Sequence, residues 1–114
     1  LIEIFWPIYQ HWALYMGDGY VIHVTDHSDT SSTISICTVV KGKKELLEEV
    51  AGNHKWRVNN KYDRSHTPRP VQEIIRSAEQ WIDKEVPYEG ASTSERFVTK
   101  LRYGKALPER VSEP

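Results

Sequence analysis

The chain has 114 residues, enough for one domain that buries roughly 60–70% of its unfolded surface without staples. A formal charge of −1 gives no global basic field, so nucleic acid is not an expected partner. One cysteine, Cys37, excludes an internal disulfide framework, and no apolar run reaches the ~18–20 residues that span a bilayer.

Leu1 to Phe5 reads as a strand closed by Trp6-Pro7. The segment HWALYMGDGYVIH, from His11 to His23, then reads as a β-hairpin, with arms His11–Met16 and Tyr20–Thr25 around the turn signal Gly17-Asp18-Gly19. Loop length decides what the two histidines can do. A two-residue Asp18-Gly19 loop pairs Gly17 with Tyr20 and puts His11 and His23 on opposite faces. A three-residue loop, or a compensating bulge, puts both on one face as diagonal neighbours about 7 Å apart. The first arrangement leaves two unrelated strand histidines. The second suits a base and its orienting partner beside a nucleophile.

Asp26 to Ser32 is a polar loop, and Thr33 to Val40 is the next expected strand. Lys44 to Val50 reads as a short helix stopped by Gly52-Asn53, and His54 to Asn59 alternates well enough for a last strand. Lys61 to Pro70 is a connecting loop. Val71, Ile74, Ile75, Ala78 and Ile82 recur at helical spacing after Pro70 and before Pro87. A final helix should run from about Ser92 to Tyr103 and end at Gly104. The layout is α+β, with a mostly antiparallel sheet. Both ends look cut from something longer.

Ser92-Thr93-Ser94-Glu95 fits a capping box, with Ser92 as N-cap and Glu95 three residues on. Ser94 then lies in the first helical turn, where the helix dipole favours a developing negative charge. Spacing alone leaves it as either a plain helix-start serine or a hydroxyl nucleophile that depends on a neighbouring base. Cys37 sits mid-strand and reads as a small core residue. The cluster His23, Asp26 and His27 lacks a fourth metal ligand, so no metal is expected. Asn59-Asn60 suits a turn or a strand end. Trp6, Pro7, Ile8 and Tyr9 form an apolar ledge that suits either a lipid interface or core packing.

HWALYMGDGYVIH, RVNNKYD (Arg57 to Asp63) and FVTKLRYG (Phe97 to Gly104) together resemble the LRAT-domain proteins, in particular their phospholipase A and acyltransferase branch, in the same order over nearly the whole chain. The resemblance implies a single LRAT-type domain over 1–114. Its fold would be a permuted, NlpC-type papain-like one, with about four antiparallel strands on about three helices. It implies a phospholipid acyl hydrolase or acyltransferase working through an acyl-enzyme, without a cofactor. Its partners would be a glycerophospholipid or membrane surface and a protein, the domain itself being a cytoplasmic monomer. A membrane anchor would belong to a segment outside this chain.

Carried over, His11 matches the histidine that activates the nucleophile and His23 the one that orients it. The family motif Asn-Cys-Glu-His-Phe-Val reads Thr93-Ser94-Glu95-Arg96-Phe97-Val98 here, so Ser94 stands at the nucleophile position. Relatives usually carry a basic residue where Trp6 stands. The linker Tyr88–Ser92 and the loop after His23 are also shorter than in the family. Serine in place of cysteine, with Arg96 expected as a bulky cation beside the site, implies a weakened enzyme or an inactive lipid- or protein-binding module.

Overall fold

The computed structural model describes residues 1–7, 10–25 and 39–109. Six strands form one sheet in the order β5-β1-β2-β3-β4-β6, with every neighbouring pair antiparallel. They are β1 (Ile2–Phe5), β2 (Gln10–Gly17), β3 (Tyr20–Thr25), β4 (Val39–Leu46), β5 (Trp56–Val58) and β6 (Glu85–Pro87). The helices are α1 (Leu47–Ala51), α2 (Val71–Glu79) and α3 (Thr93–Tyr103), and a 3-10 turn spans Lys61–Arg64. The fold class is therefore α+β as expected, with a wider sheet than the four strands anticipated.

Alternation along the strands gives the sheet two apolar faces. Trp12, Leu14, Ile22, Val24 and Val40 point to one face and pack on Ile74 and Ala78 of α2 and on Phe97, Val98 and Leu101 of α3. Ile2, Ile4, Ala13 and Val21 point to the other, where Leu47 and Ala51 of α1 cover them. Within the described residues, two sequence expectations change here. Lys44 to Leu46 belong to a strand, because β4 stays paired with β3 through Tyr20↔Leu46 and the helix starts only at Leu47. Ile82 is not helical: α2 stops at Glu79, and Ile82 bridges to Gly42 of β4. Thr33 to Thr38, Cys37 among them, lie outside the described residues, as do Asp26, His27, Ile8 and Tyr9.

The hairpin combines the two alternatives that the sequence left open. Its turn is the two-residue Asp18-Gly19 loop, with Gly17 opposite Tyr20. Both central residues have positive φ, 56° and 85°, as a tight turn matched to strand twist requires. The pairing then slips between Tyr15 and Gly17, leaving Met16 as an extra residue in β2. Beyond that bulge Tyr15 faces Val21 and Leu14 faces Ile22. The shift of one residue returns His23 to the face of His11.

Candidate active site

His11 and His23 lie on the α1 side of the sheet, in line with Ala13 and Val21. Both are buried, each about 3% exposed. The His11 Nε2 and His23 Nδ1 atoms are 2.8 Å apart in a hydrogen bond, with the rings edge to face. Glu45, on the same face of β4, brings its Oε1 to 3.0 Å from His23 Nε2. The indole of Trp6 stacks flat on the His11 ring, at 4.1 Å between centroids and 3° between planes. Trp6 is thus half-buried against the site and packs with the α1-side core.

Burial decides the charge of this pair. It depresses the His11 pKa to about 3, with the neighbouring His23 adding to the effect. Burial also lowers His23, outweighing the upward pull of Glu45. Both imidazoles are neutral at pH 7.

The helix that carries Ser94 approaches from the opposite face. Paired residues of β2 and β3 end at Leu14↔Ile22, so the two strands part where the histidines begin. There the Trp12 N–H donates to Ser94 Oγ at 3.1 Å instead of to a β3 carbonyl. Ser94 is buried and shares with His11 a hollow of about 40 Å³, also lined by Tyr88, Gly90 and Thr93. That is room for about one water. Among the described residues Ser94 and His11 make no direct hydrogen bond, and the unengaged ring nitrogen of His11 is Nδ1.

The capping box at the start of α3 does not form. Ser92 makes no side-chain cap, and Glu95 accepts instead from the Tyr62 hydroxyl at 2.7 Å, with Lys61 at 3.4 Å. Thr93 anchors the helix start in its place, donating to the Gly90 carbonyl and accepting from the Glu89 N–H. At the other end Gly104 takes a left-handed φ of 80°, as a helix stop demands.

Arg96 corrects a second expectation, because it does not line the hollow of His11 and Ser94. It lines a separate cleft of about 420 Å³ with Trp81, Phe97 and Lys100, and its Nη1 donates to the Pro108 carbonyl. Position 96 points there because it lies on the flank of α3 turned from the sheet, whereas Val98 and Leu101 face the core. Asn59 does more than make a turn: its amide donates to the buried Glu3 carboxylate, which also takes Arg57. Among the described residues no group of three His, Cys, Asp or Glu side chains is placed to hold a metal. No described helix is long and apolar enough to cross a membrane.

Glu45 is the site residue that sequence reasoning missed. The only signal available was parity: Lys43 faces His23 across β3 and β4, so Glu45, two residues on, must share its face. That register needs the strand to reach Leu46, which the lysine-rich run KGKKE does not suggest.

Comparison with known proteins supplies the context for this geometry. The chain is 45% identical to phospholipase A and acyltransferase 1 of Mus musculus, over 98% of its length and 71% of that protein. It is 43% identical to phospholipase A and acyltransferase 3 of Homo sapiens, over 99% of its length and 74% of the relative. Phospholipase A and acyltransferase 4 of Homo sapiens is 44% identical over a similar span. The lecithin retinol acyltransferase family description matches residues 1–107, and the chain belongs to that family.

Proposed function

We propose that this domain cleaves acyl esters of glycerophospholipids through Ser94, far more slowly than a thiol in its place would. The observation that carries the reading is the hollow in which a buried, neutral His11, already bonded to His23, meets Ser94 at the start of a helix. In the first step His11 Nδ1 accepts the Ser94 proton as Oγ bonds to the ester carbonyl carbon. The C–O bond to the glycerol then breaks, and the lysophospholipid oxygen leaves with the proton that His11 returns. Water, or an amine acceptor, releases the acyl group by the same exchange in reverse. The N-terminus of α3 favours the negative charge that develops on the carbonyl oxygen.

Two features argue for a low rate. An imidazole held at about 3 is a poor base for a hydroxyl, since general-base catalysis works best with a pKa near the working pH. Ser94 also spends a lone pair on the Trp12 N–H and makes no bond to His11. The same features favour a second reading, a lipid-binding module of the same fold without turnover. In both readings the partner is a glycerophospholipid, met at a membrane surface.

Intact mass spectrometry after incubation with phosphatidylcholine vesicles separates the two. Ser94→Cys should accumulate an acyl adduct, because a thiol ionises where a hydroxyl does not. Adding His11→Ala should abolish it. A folded Ser94→Cys protein with neither adduct nor released fatty acid would leave the binding module alone standing.

A further inference from the structure

We propose that Glu45 is a positioning residue that fixes which nitrogen of His11 carries the proton, leaving Nδ1 bare as the base. The acid–base consequence rests on the acyl-transfer reading above. The proton assignment itself rests on two hydrogen bonds.

Two neutral imidazoles joined between His11 Nε2 and His23 Nδ1 have two ways to share their protons. In one, His11 Nε2–H donates to His23 Nδ1, and His23 Nε2–H is left to donate to its other neighbour. In the second, His23 Nδ1–H donates to His11 Nε2, so His23 Nε2 is a bare lone pair. Only the first leaves His11 Nδ1 without a proton and able to take one. The second puts a proton there and removes the base. The His11–His23 bond by itself does not choose between them.

Glu45 makes the choice. Its Oε1 lies 3.0 Å from His23 Nε2, and a carboxylate accepts but does not donate. In the second arrangement a lone pair and a carboxylate oxygen would face each other at that distance. In the first the contact is a charge-assisted hydrogen bond. Proton order therefore runs one way along a line from Glu45 through His23 to His11. Lys43, which faces His23 directly across the ladder, is held by Asp83 at 3.0 Å.

The line also answers why the second histidine is useful. An acceptor bonded directly to His11 Nε2 would fix that ring by itself, but no described carboxylate reaches it. His23 transmits the requirement of a half-exposed Glu45 to a buried ring. Glu45 touches neither Ser94 nor the hollow, so its effect must pass through the tautomer.

Long-range proton–nitrogen NMR of the ring nitrogens tests the assignment near pH 7, on the protein with Ser94 in place. The expected wild-type spectrum shows His11 protonated at Nε2 and bare at Nδ1. Glu45→Leu, which offers no acceptor, should move both His11 nitrogens toward averaged shifts. Glu45→Gln, which keeps the size but can accept or donate, should move them the same way and covers the case in which the leucine variant fails to fold. In the Ser94→Cys background, the acylation rate with p-nitrophenyl butyrate should fall by roughly tenfold or more in kcat, with KM little changed. Wild-type His11 protonated at Nδ1 would overturn the proposal, as would ring-nitrogen spectra that neither substitution alters. If the spectra behave as expected but Ser94→Cys forms no acyl-enzyme, acyl transfer fails and the proton assignment stands.

Discussion

Burying a neutral histidine makes the fold sensitive to mild acid, and His11 allows the size of that effect to be worked out. In the unfolded chain its imidazole takes a proton near 6.5; in the fold burial postpones this to about 3. Between those values the unfolded state binds more protons, so stability falls as pH falls. Each pH unit across the window is worth about 1.4 kcal/mol, so lowering the pH from 7 to 5 removes about 2 kcal/mol through His11 alone. His23 shifts in the same direction and adds to the loss. Glu3 and Asp63 have depressed pKa values, and their contributions are lost only at lower pH, as they protonate. The assay is urea unfolding at pH 7 and pH 5, on wild type and on His11→Gln, which keeps a donor for His23 but does not titrate. Wild type should lose about 2 kcal/mol more than the variant over that interval. Equal losses in the two proteins would refute the reasoning, because His11 would then take its proton equally in both states.

Thr99→Val should destabilise the fold by about 1–3 kcal/mol in the same urea assay, since it leaves the Leu107 N–H, now bonded to Thr99 Oγ1 at 2.7 Å, buried without an acceptor. Gly42→Ala should cost about 1–3 kcal/mol and lower the melting temperature by about 4 °C or more, because a Cβ there would sit 2.3 Å from the Trp81 carbonyl oxygen. An unchanged melting curve for Gly42→Ala would mean that the segment around Trp81 gives way freely. Trp6→Ala should raise the His11 pKa from about 3 toward its ordinary value as water reaches the ring, read by NMR titration of the imidazole.

The elements legible in the sequence are those with a long or clean period. β1, the histidine hairpin, α2 and α3 each carry enough apolar or turn signal to fix the type of element. β6 offers no such signal: three residues, one of them proline, hold to the sheet edge through pairing with β4 and the packing of Val86 on the core. Lys44 to Leu46 read as the start of a helix because they run into Leu47 and Val50, yet their backbone stays paired with β3 and the helix begins only at Leu47. The capping box failed for a similar reason. Ser92 and Glu95 have the right spacing, but Tyr62 and Lys61 arrive from a distant turn and take the carboxylate. The histidine pair was half legible: the turn residues are local, whereas the slip at Met16 arises from pairing across the strands. Glu45 was not legible, since its role depends on register between strands far apart in sequence.

Met16 makes the chemistry of this hairpin a matter of counting. Replacing that residue changes a side chain and leaves the number of residues between His11 and the turn intact. Deleting it would leave Tyr15 next to Gly17 with the same turn, so Tyr15↔Val21, Leu14↔Ile22 and the shared face of the two histidines would survive. A ladder of the present length paired without the slip would instead send His11 to the α2–α3 side and leave His23 beside Glu45 without its partner. Every residue type at the site would survive that change of pairing, and the site would not. Hairpin length taken together with the slip is therefore a stricter criterion than motif identity for deciding which chains of this kind can bring the two imidazoles together.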